Sequence, residues 1–114
     1  MQRIDIALSL QKKNDERLML PIELKAVQAS LLNVIQLQRY VDWLEQYYIP
    51  NRISAIQPVL IAKKFDNKDS EKYLQIIESF KQFNNKNQNC LPLKFIEYEV
   101  IEEKLQFTEV NYSD

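Results

Sequence analysis

The 114-residue sequence contains no glycine, and this absence restricts the possible folds and sites more than any other single feature. Average usage would give about eight glycines in a chain of this length. Walker-type phosphate loops, Rossmann dinucleotide loops and the nucleophile elbow of hydrolases all require glycine at fixed positions. These three kinds of site are therefore excluded.

Histidine is also absent, and Cys90 is the single cysteine. Histidine general bases, Ser-His-Asp and Cys-His catalysis and histidine-ligated zinc cannot be built from this chain. One cysteine excludes a disulfide framework. The chemistry that remains is that of carboxylates, lysines, hydroxyls and oxygen-ligated metal ions. A lone cysteine and the lack of an export signal predict a cytoplasmic, reducing setting.

Length and charge narrow the class of protein. A chain of this size with 46% hydrophobic residues predicts one domain over residues 1–114. Fifteen Lys and Arg oppose sixteen Asp and Glu, so binding of nucleic acid through bulk positive charge is not expected, whereas a local basic patch is allowed. No apolar run approaches the roughly 20 residues that span a bilayer, so no membrane partner is expected.

Hydrophobic periodicity predicts an α/β fold. Residues 3–10 and 18–25 alternate between apolar and polar, which predicts an antiparallel hairpin with its turn at Asn14-Asp15. The other predicted elements are helices over 27–48 and 70–83 and strands over 53–65, 93–100 and 105–110. This order of strands and helices predicts a mixed β-sheet with helices packed on it.

Several details of this assignment are specific enough to be checked. The apolar side of the first helix is predicted to include Leu31 and Ile35, and that of the second helix Leu74. The asparagine-rich residues 84–89 are predicted to be a polar loop. An acidic run is predicted to form a solvated face that points away from any DNA. It consists of Glu97, Glu99, Glu102 and Glu103.

Three ionisable groups fall on the polar sides of the predicted hairpin. Glu23 and Lys25 are two residues apart, so they project from the same side of one strand. Asp5 lies close to level with Glu23 or Lys25 if the turn is near residues 13–16. The register is decisive, because a slip of one residue would turn Asp5 to the opposite face.

This triplet suits a hard divalent cation. Two close carboxylates repel each other unless a cation lies between them. Magnesium prefers one or two carboxylates, waters and phosphate oxygens, and the backbone carbonyl of Leu24 could supply one more oxygen; manganese is a second candidate. A neighbouring lysine can position or deprotonate the attacking water, which suits phosphodiester hydrolysis. The alternative is a small α/β interaction protein in which Glu23 and Lys25 are a solvated surface pair.

The order of these motifs resembles the PD-(D/E)XK nuclease superfamily. Residues 4–8, IDIAL, resemble the strand that carries the first Asp of the family, and residues 22–25, IELK, resemble its (D/E)xK strand. Residues 36–40, QLQRY, resemble the QxxxY element of RecB-like nucleases. The succession of IELK, QLQRYVDWL and VLIA is also similar to the nuclease domain of NucS-type endonucleases. The resemblance covers residues 3–65.

The resemblance implies a restriction-endonuclease-like core and a magnesium-dependent deoxyribonuclease activity. Asp5 and Glu23 would be metal ligands, and Lys25 would be the catalytic lysine. Gln36 and Tyr40 would brace the site or contact substrate, and their spacing places both on one face of a helix. The alternative within the same fold is a catalytically inactive module for DNA binding or protein assembly.

The resemblance also implies partners. DNA is the expected one, and Lys63 and Lys64, at the end of the predicted central strand, are candidate phosphate contacts or ordinary solubilising charges. The family fold places a helix and a strand before the Asp-bearing strand, whereas residues 1–4 alone precede Asp5. We therefore expect a fragment of a longer protein, or a domain whose exposed sheet edge pairs with a second copy or another subunit.

Overall fold

The computed structural model describes residues 6–11, 17–47 and 54–112. Within these ranges the chain forms six strands and two helices, which confirms the predicted α/β class and adds one short strand to the predicted order. The elements are β1 Ile6–Gln11, β2 Arg17–Gln28, α1 Leu31–Tyr47, β3 Ser54–Ile56, β4 Val59–Lys63, α2 Glu71–Lys86, β5 Lys94–Ile101 and β6 Lys104–Val110. No helix in the described ranges has the length and hydropathy needed to span a membrane.

The strands form one mixed sheet in the order β1-β2-β4-β5-β6, with β3 also paired to β2. Strands β2, β4 and β5 are parallel, while β1 and β6 are antiparallel to their neighbours. The pairing of Ile6 with Ile22 and of Gln11 with Arg17 confirms the predicted N-terminal hairpin over these residues. Its predicted turn at Asn14-Asp15 lies outside the described residues.

Both helices pack on the same face of the sheet, called here the helix-covered face. A single buried cluster joins Leu37 and Val41 of α1, Phe80 of α2, and Leu60 and Phe95 of the central strands. The opposite side, called here the open face, has no described helix over it. Its residues include Ile22, Leu24, Ile61, Ile96, Tyr98 and Phe107.

Two element boundaries differ from the predictions. The helix predicted from residue 27 begins at Leu31, because residues 27 and 28 continue strand β2. The single strand predicted over 53–65 is two strands, β3 and β4, separated by Gln57 and Pro58. Pro58 cannot donate to a strand ladder, so a break at this position is expected.

The helix surfaces also differ in part from the predictions. Leu31, Ile35 and Leu74 were predicted to face the core and are exposed instead. Both helices carry apolar residues on more than one side, and the sheet covers only one of them. The predicted loop over residues 84–89 begins later, because α2 continues to Lys86 and is capped by Asn87, whose backbone N–H donates to the Phe83 carbonyl.

The hairpin of β5 and β6 closes on the pair Ile101–Lys104, which leaves Glu102 and Glu103 as a two-residue loop. Their φ angles are 51° and 64°, so both residues occupy the left-handed region of a type I′ turn. Glycine, asparagine and aspartate normally fill such turns. A residue with a long side chain costs about 1 kcal/mol or more at such a position.

Candidate active site

Glu23 lies in the interior of β2 and points toward the helix-covered face. It is level with Leu60 of the adjacent parallel strand, and it is only 1% exposed. Burial of a carboxylate is costly unless a cation or hydrogen-bond donors compensate for the lost water. The prediction that Glu23 would be solvated, which was part of the interaction-protein alternative, is therefore wrong.

Lys25 is the cation that compensates for part of this burial. Its Nζ lies 2.8 Å from Glu23 Oε1, and its side chain is 30% exposed, so the amine reaches both the buried carboxylate and the solvent. This contact confirms that Glu23 and Lys25 share one side of the strand. The second oxygen, Glu23 Oε2, is buried and has no hydrogen-bond partner among the described residues.

The local backbone around Lys25 is irregular. The pairing of β2 with β4 shifts register between Leu24 and Gln28, which is a bulge-type irregularity. Bulges redirect side chains and are enriched beside functional sites. From the open face, the Tyr98 hydroxyl donates a 3.0 Å hydrogen bond to the Lys25 carbonyl and so links β5 to β2 across β4. This bond anchors the irregular segment that carries the amine.

Gln36 and Tyr40 lie one turn apart on α1, the helix that packs against β2. Tyr40 is buried, and the side-chain oxygen of Gln36 is buried without a hydrogen-bond partner among the described residues. Glu23 and Gln36 therefore each have a side-chain oxygen that receives no hydrogen bond from residues 6–11, 17–47 or 54–112. An oxygen in this state remains able to accept a cation or a polar hydrogen.

Asp5 lies outside the described residues. The described part of the β1–β2 ladder reaches the pair Ile6–Ile22, next to Glu23. Within residues 6–11, 17–47 and 54–112 no three Asp, Glu, Cys or His side chains form a metal-binding group. The acid predicted to accompany Glu23, Asp5, is outside these ranges.

Lys63 and Lys64 are exposed at the carboxyl end of β4. Lys63 is three residues beyond Leu60, the neighbour of Glu23, which corresponds to about 10 Å along the strand. Lys64 Nζ lies 3.4 Å from Glu99 Oε1. Lys63 ends β4 and Lys64 follows it, and Lys64 is already partnered by an acid.

The structure contains a second buried carboxylate, which was not predicted from the sequence. Glu97 is 4% exposed on the helix-covered face of β5. Its Oε1 forms an ion pair with Lys68, and its Oε2 accepts a 3.0 Å hydrogen bond from the Phe65 backbone N–H. Lys68 Nζ also lies 4.6 Å from the centroid of the Tyr73 ring. The predicted solvated acidic face is therefore wrong for Glu97.

A signal for this burial exists in the sequence. Glu97 is two residues beyond Phe95 in β5, so the alternation of a strand places it on the same face as this core residue. A cleft of about 390 Å³ lies beside it. Its lining includes Lys64, Lys68, Glu97, Glu99, Thr108 and Glu109.

The geometry around Glu23 can accept a hard cation at one carboxylate oxygen and place an amine beside it. That combination suits the stabilisation of negative charge on a bound phosphate group. It is built entirely from β2 and the helix that follows it. No protein-family model, curated protein or solved structure matches this chain.

Proposed function

We propose that this domain is a magnesium-dependent nuclease domain that hydrolyses DNA phosphodiester bonds, with Glu23, Lys25 and Asp5 at its active centre. The observation that carries the proposal is the state of the Glu23 carboxylate. One oxygen is paired with Lys25, and the other is buried with no partner among the described residues. A carboxylate that served only the fold would be satisfied at both oxygens, as Glu97 is.

The donor atoms suit Mg²⁺, which takes hard oxygen ligands and retains several waters. Glu23 Oε2 is the first ligand that we propose, and the Asp5 carboxylate and the Leu24 carbonyl are the others. Mn²⁺ accepts the same ligand types. When bound, the ion would supply Lewis-acid stabilisation of the phosphate and a lowered pKa of coordinated water.

The register of the hairpin supports the inclusion of Asp5. Partners in the β1–β2 ladder have residue numbers that sum to 28, as in Ile6–Ile22 and Leu8–Leu20. The last described pair of this ladder is Ile6–Ile22, and Asp5 and Glu23 are the neighbours of these two residues in sequence. Directly opposed residues of an antiparallel pair have Cβ atoms about 4.5–5.5 Å apart, a spacing at which two carboxylates can share one ion.

Lys25 has the two properties that its proposed role requires. It contacts the carboxylate, and its amine remains partly open to solvent. A substrate phosphate that enters from solvent would meet this amine, which then orients the attacking water and stabilises the charge that develops on the phosphate. Gln36 and Tyr40 would hold the helix side of the centre, and Lys63 and Lys64 would contact the DNA backbone.

The first test is cleavage of supercoiled plasmid DNA in the presence of Mg²⁺. We expect cleavage by the wild type, none in EDTA, and a loss of roughly 100- to 10,000-fold in Lys25→Ala. The matched control is Lys94→Ala, which removes a half-exposed lysine of the same sheet that is paired with Glu109. This control should cleave like the wild type. Cleavage that survives both EDTA and Lys25→Ala would place the activity elsewhere.

The second test needs no activity. Mg²⁺ should raise the melting temperature of the wild type and should have no effect on Asp5→Asn or Glu23→Gln, because a ligand stabilises only the state that binds it. Magnesium stabilisation without cleavage, together with retained DNA binding, would favour the inactive DNA-binding module. Equal magnesium effects in all three proteins would contradict a site at these carboxylates.

A further inference from the structure

Strand β6 differs from the rest of the sheet in its exposure. It lies at the end of the strand order, with β5 on one side and no described strand on the other. All of its residues before Val110 are exposed on both faces, including Leu105 at 55% and Phe107 at 58%. Apolar side chains and the outer edge of the backbone are therefore accessible together.

The hydrogen-bonding groups on the outer edge can be assigned from the turn. The type I′ loop closes on the pair Ile101–Lys104, which is hydrogen-bonded across the turn. Hydrogen-bonded and non-hydrogen-bonded pairs alternate along an antiparallel ladder. The N–H and C=O groups of Leu105, Phe107 and Glu109 consequently point away from β5.

This edge lacks the usual features that prevent strand pairing. The β5–β6 ladder runs without a register shift from Phe95–Val110 to Ile101–Lys104, and β6 contains no proline. Bulges, prolines and centrally placed charges are the common means of blocking an edge. Here the charged residues, Lys104 and Glu109, lie near the two ends of the strand.

We propose that β6 is a dimerisation edge, on which β6 of a second copy of this chain pairs antiparallel about a two-fold axis at Phe107. Phe107 is the midpoint of β6, so this axis aligns the full length of the two strands. The outward groups of each copy would then form about six inter-copy hydrogen bonds. A two-fold contact of this kind uses the same surface on both copies, so the assembly ends at a dimer.

In this register, the β6 side chains of the two copies are compatible with each other. Phe107 meets Phe107 of the second copy, Leu105 meets Glu109, and Lys104 meets Val110, so no like charges are opposed. Within one copy the Tyr98 and Phe107 rings are already neighbours, with centroids 6.3 Å apart. The dimer would extend this pair into a row of four aromatic rings across the open face. This self-complementarity is the reason to choose a second copy over an unrelated protein.

The test is sedimentation equilibrium of the whole chain over a range of concentrations. We expect a reversible dimer for the wild type and a monomer for Phe107→Lys, because the axis brings the two new charges together. Phe107→Glu alone should also be monomeric, and an equal mixture with Phe107→Lys should form dimers again. The matched control is Val100→Lys, which adds the same charge to the same hairpin at a site 66% exposed on β5 and should remain dimeric.

Amide hydrogen exchange gives a second measurement on folded protein. The amides of Leu105, Phe107 and Glu109 should be protected in the wild type at high concentration and should lose protection in Phe107→Lys. The alternate amides of β6, bonded to β5, should be protected in both proteins. A wild-type monomer at all concentrations, species larger than dimers, or a failure of the charge-paired mixture to associate would each overturn the proposal.

Discussion

Glu23 and Glu97 are two buried carboxylates on the same face of one sheet, and each is paired with a lysine. At Glu97 both oxygens are used, one by Lys68 and the other by the Phe65 backbone N–H. At Glu23, Oε1 is paired with Lys25, and Oε2 has no partner in the part of the chain that the structure describes. Burial and an ion pair are therefore common to both acids, and the unused oxygen is what distinguishes Glu23.

This difference in hydrogen bonding marks Glu97 as a structural acid and Glu23 as a candidate metal ligand. The bonds of Glu97 fix the chain that leaves β4, since Phe65 and Lys68 both lie in the connection to α2. Glu23 has no bond to a connecting segment among the described residues, and its lysine lies at an irregular segment of β2. A buried acid whose hydrogen bonds are complete has its role in the fold, whereas an incomplete one retains the capacity to bind.

The largest expected effect is on catalysis. Glu23→Gln should lower magnesium-dependent DNA cleavage by at least about 100-fold, because it removes the charge that would hold the ion. Glu97→Gln keeps the acceptor for Phe65 and should remain within a few-fold of the wild type. Initial rates of plasmid nicking, measured well below the melting temperatures, check this pair. Equal losses in the two variants would remove the distinction between the acids.

Truncation of Glu97 should lower the free energy of unfolding, because the bonds of this acid belong to the fold. Glu97→Ala leaves the Phe65 N–H without its acceptor and Lys68 without its partner, and should cost about 2 kcal/mol of unfolding free energy. Glu109→Ala serves as the control, since it removes an exposed partner 3.8 Å from Lys94 and should cost less than about 0.5 kcal/mol. Urea unfolding measures both.

Replacement of each whole pair by methionine should give changes of opposite sign. Without Mg²⁺, the double variant Glu23→Met with Lys25→Met should be about 1 kcal/mol more stable than the wild type, because a buried charge with an unused oxygen is removed. Glu97→Met with Lys68→Met should be about 1 kcal/mol less stable, because a backbone donor is orphaned. Changes of the same sign in urea unfolding would contradict the assignment.

Removal of the Tyr98 hydroxyl should have a smaller effect on the site around Glu23 and Lys25. Tyr98→Phe removes the hydrogen bond to the Lys25 carbonyl, with a cost of about 1 kcal/mol. Because Lys25 would then be less well positioned, kcat should fall by up to about tenfold with little change in KM. An equal change in a Lys25→Ala background would show that the effect does not pass through the amine.

The smallest effect is expected at alkaline pH, at the partly buried hydroxyl of Tyr112, which accepts a hydrogen bond from Asn84 and donates one to the Leu93 carbonyl. Burial raises the pKa of Tyr112 above its usual 10.0, and the hydrogen bond from Asn84 partly opposes this shift. The folded state therefore favours the protonated hydroxyl, and this contribution is present below about pH 10 and lost as the pH rises through the raised pKa. Tyr112→Phe should flatten the alkaline decline of the melting temperature. It should leave the difference between the effects of the Glu23 and Glu97 variants unchanged.

The pattern of the chain predicted both helices and the order of the elements apart from the split of residues 53–65 into β3 and β4, because alternation and helical spacing are local properties. It did not predict which face of β2 would be covered. Leu24 belongs to the more apolar side of this strand and is exposed, whereas Glu23 on the other side is buried beneath the helices. Which face receives the helices depends on the crossovers between parallel strands, and this is a property of the whole sheet.

Of the candidate site, the local contact within β2 could be predicted from the sequence, whereas contacts between distant residues could not. The spacing of Glu23 and Lys25 placed them together, and the structure confirms the contact. The pairing of Glu97 with Lys68 was missed because the two residues are 29 positions apart and are joined by the return of the chain from α2. The contribution of Asp5 stays a prediction.

The turn at Glu102 and Glu103 has a consequence for local opening of the sheet. Two left-handed residues with long side chains lower the stability of the hairpin relative to the parallel strands, and its outer half has little buried surface to compensate. We expect the tip of β5 and β6 to open independently of global unfolding. The double variant Glu102→Asn with Glu103→Gly should slow amide exchange in this hairpin and leave exchange in β2 and β4 unchanged.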